Sequence, residues 1–244
     1  MRRALALALL LGASSLDAAA LEERCGSRAD VAGIPIVERH AKHITAQHHR
    51  LVVMLTGDGG WRRIDIRVTN RFRDAGLPVV GFLTPDYYRV RRTPEESACA
   101  LERVIRFYKT SWKCDRVVII GYSRGADILP FMLSRLPADV RASIDLVALL
   151  GLEPTIDFRY RPTWIPGQTR HEPQYPVLPE VQKLAGYRVL CFYGEKEKDS
   201  LCHSLDPQVV TVIREPGSHH FAGNYGGIAD EILAAVGEAV APLP

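Results

Sequence analysis

Six short apolar runs that alternate with helical patterns constrain the fold of this chain most strongly. The runs are rich in Val, Ile and Leu, and the segments between them have the spacing of amphipathic helices. Strands buried on both faces have such continuous apolar sequences, and parallel strands need crossover connections that are usually helical. The sequence therefore predicts an α/β fold with a mainly parallel, doubly wound sheet. The six runs lie at 50–55, 77–83, 116–122, 144–152, 187–195 and 208–215.

The composition indicates one folded domain behind an export signal. The 244 residues are 47% hydrophobic and 24% charged, and the formal net charge of +3 does not indicate a nucleic-acid binder. Arg2 and Arg3 precede a short apolar stretch and then small residues, a pattern typical of a secretory signal peptide that is cleaved after Ala20. We therefore expect a signal peptide at 1–20 and a single domain at 21–244.

Export makes disulfide bonds the expected state of the five cysteines. Cys191 and Cys202 bracket a short polar loop and are the best candidate pair. The sequence leaves Cys25, Cys99 and Cys114 unassigned. No CxxC or histidine-rich spacing suggests zinc, and we expect neither a metal nor a cofactor.

One segment interrupts the alternation of strands and helices. Residues 153–179 contain six prolines and no clear period. Irregular segments of this length inside a compact domain are usually functional, and this one is predicted to form a lid or a pocket wall.

The sequence Gly121-Tyr122-Ser123-Arg124-Gly125 joins a predicted strand to a predicted helix. In this context G-x-S-x-G is typical of a nucleophilic serine held on a sharp turn, with glycines where side chains would collide. The hydroxyl would sit at the start of a helix, whose dipole favours developing negative charge. The alternative is a serine in an ordinary strand–helix turn.

A nucleophilic serine needs a base and an acid, expected in the order Ser, acid, His. His219 follows the last strand and is the predicted base, with His220 as the alternative. Asp199, in the loop after the penultimate strand, is the predicted acid, and Glu195 and Glu197 could serve instead.

An oxyanion hole would need two backbone amides near the serine. We expect them from Arg124, directly after Ser123, and from Asp58 in the glycine-rich sequence TGDGGW after the first apolar run. The spacing of neither a P-loop nor a Rossmann dinucleotide site is present, which disfavours phosphate binding by this loop.

Several of these motifs together resemble the VirJ/AcvB family of bacterial virulence proteins. The resemblance runs from about residue 51 to the C-terminus, and GYSRGADILPF is its most specific part; the others are LTGDGGW, GLEPTIDF, CFYGEKEKDSLC and PGSHHFAGNY. It implies a periplasmic protein of α/β-hydrolase fold that hydrolyses aminoacylated phosphatidylglycerol, such as lysyl-phosphatidylglycerol. It also places Ser123, Asp199 and His219 in the triad.

The function expected from the sequence is thus cleavage of an aminoacyl ester on a phospholipid at the membrane surface. A cationic aminoacyl group would need a nearby carboxylate, for which Asp58, Asp65 and Asp86 are candidates, and Trp61 is a further candidate substrate contact. Two alternatives remain open. The protein could be a non-enzymatic binding factor linked to type IV secretion proteins, or a general carboxylesterase or thioesterase.

Overall fold

A seven-stranded sheet forms the centre of the computed structural model, which describes residues 25, 30–43, 45, 49–161 and 174–238. The signal peptide expected at 1–20 lies outside the described residues. The strands of this sheet are β1 (Ile36–Arg39), β2 (Arg50–Leu55), β3 (Val79–Phe82), β4 (Arg116–Tyr122), β5 (Ile144–Leu150), β8 (Val189–Gly194) and β9 (Val210–Glu215). Two further strands, β6 (Thr155–Ile156) and β7 (Tyr175–Pro176), pair antiparallel in a small second sheet.

The order of the large sheet is β1-β3-β2-β4-β5-β8-β9. Six of the strands are parallel, and β1 pairs antiparallel with β3 at one edge. The prediction of a mainly parallel, doubly wound sheet is therefore confirmed. The six predicted apolar runs correspond to the six parallel strands, and the edge strand β1 is an addition to them.

Helices cover both faces of the sheet. They are α1 (Arg63–Asp74), α2 (Thr84–Tyr87), α3 (Pro94–Ser111), α4 (Arg124–Leu133), α5 (Ala138–Ala142), α6 (Leu178–Gln182) and α7 (Tyr225–Glu238). Apolar side chains of α1 and α7 pack on one face of the sheet, and those of α3 and α4 pack on the other. No helix in the described ranges is long and apolar enough to cross a membrane.

Helix α3 begins where its capping sequence predicts. The Thr93 hydroxyl accepts a hydrogen bond from the Glu96 N–H at 3.1 Å, and the Glu96 carboxylate accepts one from the Thr93 N–H at 2.8 Å. Pro94 occupies the first helical position, where no N–H is needed. This capping box fixes the start of the long helix that packs behind the central strands.

Two disulfides connect parts of the described chain. The predicted bond between Cys191 and Cys202 is present, and it closes the loop that follows β8. A second bond joins Cys25 to Cys99 on α3, across 74 residues of sequence. Cys114 is a buried thiol outside both disulfides.

Candidate active site

Ser123 lies on a sharp turn between β4 and α4, at the carboxyl end of the central strand. Its backbone has φ 52° and ψ −124°, a conformation that residues other than glycine rarely adopt. The Ser123 N–H donates to the carbonyl oxygen of Leu150 at 2.8 Å, and its carbonyl accepts from the Asp127 N–H at 3.0 Å. The turn is therefore held from both sides, and the serine side chain lies at the first turn of a helix.

The two glycines of the motif allow this turn to pack closely. A Cβ atom on Gly121 would lie 2.6 Å from the carbonyl oxygen of Gly125. One on Gly125 would lie 2.4 Å from the carbonyl oxygen of Leu55 on β2. Both positions must therefore be glycine, because α4 approaches the central strands too closely to leave room for a side chain.

The imidazole of His219 is paired with a carboxylate. Its Nδ1 lies 2.6 Å from Glu197 Oε1, and the other oxygen of Glu197 accepts the Gly194 N–H at 2.6 Å. The Glu197 hydrogen bond raises the pKa of His219 above its ordinary value of 6.5, despite partial burial. Burial alone would raise the pKa of Glu197, but hydrogen bonds from His219 and Gly194 lower it overall. With Nδ1 engaged in this way, Nε2 is the nitrogen that remains for Ser123.

The acid on this histidine is not the predicted one. Asp199 is exposed, two residues beyond Glu197, whereas Glu197 lies in a tight turn that points back at His219. The turn is closed by a hydrogen bond from the Glu197 N–H to the Gly194 carbonyl at 2.8 Å. The structure thus pairs His219 with Glu197, one of the two alternatives that the sequence left open in this loop, and not with Asp199.

His220, the alternative base, faces a different partner. Its Nδ1 lies 2.8 Å from the Tyr122 hydroxyl, and the hydroxyl is also 3.3 Å from the His219 carbonyl oxygen. No carboxylate in the described part of the chain pairs with His220. The geometry thus favours His219 over its neighbour as the base.

The loop after β2 packs directly against the serine. A Cβ atom on Gly57 would lie 3.1 Å from Ser123 Cβ, so the backbone at Asp58 follows immediately beside the serine. Arg124 is the first residue of α4, where the N–H has no partner within the helix. The two predicted oxyanion amides therefore belong to residues that flank Ser123.

Two cavities meet at Ser123. One, here called the acidic cavity, has a volume of about 150 Å³, and its wall includes Asp58, Ser123, Arg124, Asp127, Glu153 and Asp157. The other, here called the histidine cavity, has a volume of about 260 Å³, and its wall includes Asp65, Tyr122, Ser123, His219, His220 and Tyr225. Ser123 and His219 share the histidine cavity.

The acidic cavity contains four carboxyl groups and one guanidinium. The Arg124 side chain, only 10% exposed, pairs with Asp58 and lies 3.0 Å from Asp157 Oδ1. No ion pair joins Asp127 or Glu153 to a cation among the described residues, although the charge of Arg124 acts to lower the pKa of Asp127. Asp127 is 2% exposed and accepts the Glu153 N–H at 2.7 Å, and its burial raises its pKa well above the ordinary value.

The described ends of the irregular segment form part of that wall. Glu153, Asp157 and Gln174 all line the acidic cavity. The prediction of a pocket wall in this segment is confirmed for its described parts, while residues 162–173 lie outside them.

The other candidate substrate contacts are dispersed. Asp58 pairs with Arg124, and Asp65 lines the histidine cavity. Asp86 forms an ion pair with Arg89 at 2.7 Å on the surface of α2, and neither described cavity includes it. Trp61 packs on β3, where its ring lies 2.2 Å from the position of a Cβ atom on Gly81.

Sequence reasoning missed the side-chain role of Arg124 and the burial of Asp127. Both belong to the sequence SRGAD and lie on the first turn of α4. A signal was present, because an aspartate four residues after the serine falls on the same face of the helix. Among the described residues there is no cluster of three or more side chains suited to a metal ion.

Solved structures with low sequence identity share the fold. Est1E from Butyrivibrio proteoclasticus is 13% identical, with a TM-score of 0.58 over 84% of this chain and 96% of its own. MenH from S. aureus is also 13% identical, with a TM-score of 0.58 over 84% and 98%. XC6422 from Xanthomonas campestris, an α/β serine hydrolase without a lid, is 13% identical, with a TM-score of 0.53 over 86% and 90%. These similarities establish an α/β-hydrolase fold.

A search of curated proteins found no match to the chain. The family model of the bacterial virulence protein VirJ, by contrast, matches residues 49–240, which include every strand from β2 to β9 and the whole of the site. The chain therefore belongs to the VirJ family of bacterial virulence proteins.

Proposed function

We propose that this protein is an exported serine hydrolase that cleaves the aminoacyl ester of aminoacylated phosphatidylglycerol, with lysyl-phosphatidylglycerol as the representative substrate. The observation that carries the proposal is the hydrogen bond of Glu197 to His219, because the His219 ring lines the same cavity as Ser123. A serine on a strained turn, a histidine and an orienting carboxylate are the parts of a Ser-His-acid triad. The aminoacyl-lipid substrate rests on the family resemblance and on the acidic cavity.

In the first step, Ser123 Oγ bonds to the ester carbonyl carbon while its proton passes to His219 Nε2. The carbonyl oxygen takes the negative charge, and the Asp58 and Arg124 amides stabilise it. The ester C–O bond then breaks, and the alcohol oxygen of the lipid takes the proton from Nε2. Water attacks the acyl-enzyme in the same way, and its proton returns through His219 to Ser123 as the amino acid leaves.

The charge of the acidic cavity supports a cationic acyl group. Glu153 lies beside Ser123, is exposed and forms no ion pair with a cation among the described residues, so an ammonium group would pair with it. The two disulfides are compatible with an exported protein, where the outer face of the inner membrane would present the lipid.

We expect Glu153→Gln to reduce selectivity for lysyl over norleucyl esters roughly fivefold in kcat/KM, because one partly exposed ion pair contributes up to about 1 kcal/mol. Norleucine keeps the length of the lysine side chain and lacks its ammonium group. The measurement compares the release of both amino acids from phosphatidylglycerol vesicles. Asp86→Asn, which removes a carboxylate outside both cavities, is the matched control and should leave the ratio unchanged.

Equal hydrolysis of both esters and of simple acyl esters by the wild type would instead indicate a general esterase. No hydrolysis of any ester by the folded wild type would favour the non-enzymatic alternative.

We expect Glu197→Gln to lower kcat by about 10⁴-fold, since an orienting carboxylate that becomes an amide no longer stabilises the charged imidazole. The residual activity should also have a changed pH profile. Activity requires neutral His219 and is lost as pH falls through its pKa, which Glu197 raises. Removing the carboxylate lowers that pKa, so the acid limb of kcat/KM should move to lower pH.

Asp199→Asn is the matched control, because it removes a carboxylate from the same loop. A near-normal Glu197→Gln enzyme together with an inactive Asp199→Asn enzyme would contradict the assignment of the acid.

A further inference from the structure

Asp65 has a buried carboxylate oxygen that the protein leaves without a hydrogen bond. The residue is 1% exposed and lies in the first turn of α1. Its Oδ2 accepts the Arg62 N–H at 3.0 Å, which completes the cap of the helix. Its Oδ1 is buried and has no hydrogen-bond partner. An acceptor of this kind destabilises the fold when it is removed from water and left unpaired, so it is expected to have a partner in the working protein.

Two side-chain hydroxyls near Asp65 in the described part of the chain donate elsewhere. The Thr69 hydroxyl donates to the backbone carbonyl of Asp65 at 2.6 Å rather than to its carboxylate. The Tyr122 hydroxyl is engaged with His220 Nδ1 and the His219 carbonyl oxygen. Burial raises the pKa of Asp65 to about 6, which agrees with a carboxyl group that is not paired with a cation among the described residues.

Asp65 lines the histidine cavity. The part of the substrate that occupies this cavity is therefore the part that Asp65 can contact. In a serine hydrolase the histidine gives its proton to the leaving oxygen, so the leaving alcohol lies on the histidine side of the serine. The acidic cavity on the other side of Ser123 then receives the acyl group. Asp65 is thus placed to contact the alcohol rather than the aminoacyl part.

The charges at the two cavities agree with this orientation. Arg62 and Arg63 are exposed and line the histidine cavity, whereas Asp127 and Glu153 line the acidic one. The alcohol of an aminoacyl lipid carries a phosphodiester anion, and the acyl group carries an ammonium cation. The histidine cavity also contains the carboxylates of Asp58 and Asp65, so its two arginines balance two acids, whereas the acidic cavity has four carboxyl groups and one guanidinium. The acidic cavity is therefore the more negative of the two and the better fit for an ammonium group.

We propose that Asp65 Oδ1 accepts a hydrogen bond from the free hydroxyl of the glycerol leaving group, next to the scissile ester, and so selects polyol esters over simple alkyl esters. This inference rests on the proposed function and adds a specificity-determining residue to it. A site built to hydrogen-bond a substrate hydroxyl discriminates strongly against an analogue that lacks it, because the buried polar group is then left unpaired.

The test compares two soluble lysyl esters, one of glycerol and one of 1,3-propanediol, which lacks only the adjacent hydroxyl. Wild-type enzyme should prefer the glycerol ester by about 10-fold or more in kcat/KM, the value of a hydrogen bond to a charged group. Asp65→Asn keeps an oxygen for the Arg62 N–H and presents an amide where Oδ1 was. The amide can form only a neutral hydrogen bond with the hydroxyl, which is weaker than one to a carboxylate. The variant should therefore lose most of the preference, because hydrolysis of the glycerol ester slows and that of the propanediol ester does not.

Asp74→Asn, an exposed carboxylate at the other end of α1 that pairs with Lys42, is the control and should keep the wild-type preference. If the wild type cleaves both esters with equal kcat/KM, the inference is overturned, and no variant is needed to show it. An equal loss on both esters in Asp65→Asn would also overturn it and assign Asp65 to helix capping alone. If the folded wild type cleaves neither ester, the proposed function itself fails.

Discussion

His219→Ala should lower kcat by about 10⁴- to 10⁶-fold, the scale of loss when the base of a triad is removed. The physical reason is that Ser123 then has no group to take its proton, and the leaving alcohol has none to supply one. Steady-state release of lysine from an aminoacyl ester measures the effect. Circular dichroism of the variant checks that the fold is retained.

His220→Ala is the matched control for this variant. His220 lies in the same loop and the same cavity, but its Nδ1 faces the Tyr122 hydroxyl instead of a carboxylate. It should retain activity within about 10-fold of the wild type, the cost of one lost hydrogen bond. An inactive His220→Ala enzyme beside an active His219→Ala enzyme would show that the base is the other histidine.

Ser123→Ala and Ser123→Gly should both be inactive, and they should differ in stability. Loss of the nucleophile should reduce kcat by about 10⁴- to 10⁶-fold in either variant. The Ser123 backbone has φ 52° and ψ −124°, a sparsely populated region that costs a residue with a side chain about 1–3 kcal/mol relative to an unstrained conformation. Glycine does not pay this cost but loses about 0.5–1 kcal/mol through the greater freedom of its unfolded chain.

The glycine variant should therefore be more stable than the alanine variant by about 1 kcal/mol, the difference between these two terms. Urea unfolding of the two variants measures it, and both lack the hydroxyl, so the comparison isolates the backbone. A glycine variant less stable than the alanine variant would contradict strain at this turn. In that case backbone strain would not contribute to the position of the Ser123 side chain.

The features that sequence predicted correctly depend on short stretches of chain. The turn at Ser123 is specified by an apolar strand, two glycines and a helix that are consecutive in sequence. The Cys191–Cys202 bond spans only 11 residues and closes one loop. Local sequence determines the conformation of such segments, because conformational propensity and steric fit act between residues that are close in sequence.

The features that sequence missed depend on contacts between distant segments. The choice of Glu197 over Asp199 depends on how the loop after β8 packs against the loop after β9, where a Cβ atom on Gly194 would lie 2.3 Å from the Ser218 carbonyl oxygen. The Cys25–Cys99 bond crosses 74 residues. The edge strand β1 has four residues, of which two are charged, so its sequence lacks the apolar run that marks the other strands.

The most direct test of the central claim is reaction of the purified protein with a fluorophosphonate, followed by peptide mass spectrometry. We predict one phosphonyl adduct on the peptide that contains Ser123, formed rapidly in the wild type and slowly in His219→Ala. The Ser123→Ala protein should remain unmodified. An adduct on another residue, or labelling that persists in Ser123→Ala, would contradict the assignment of Ser123 as the nucleophile and with it the proposed triad.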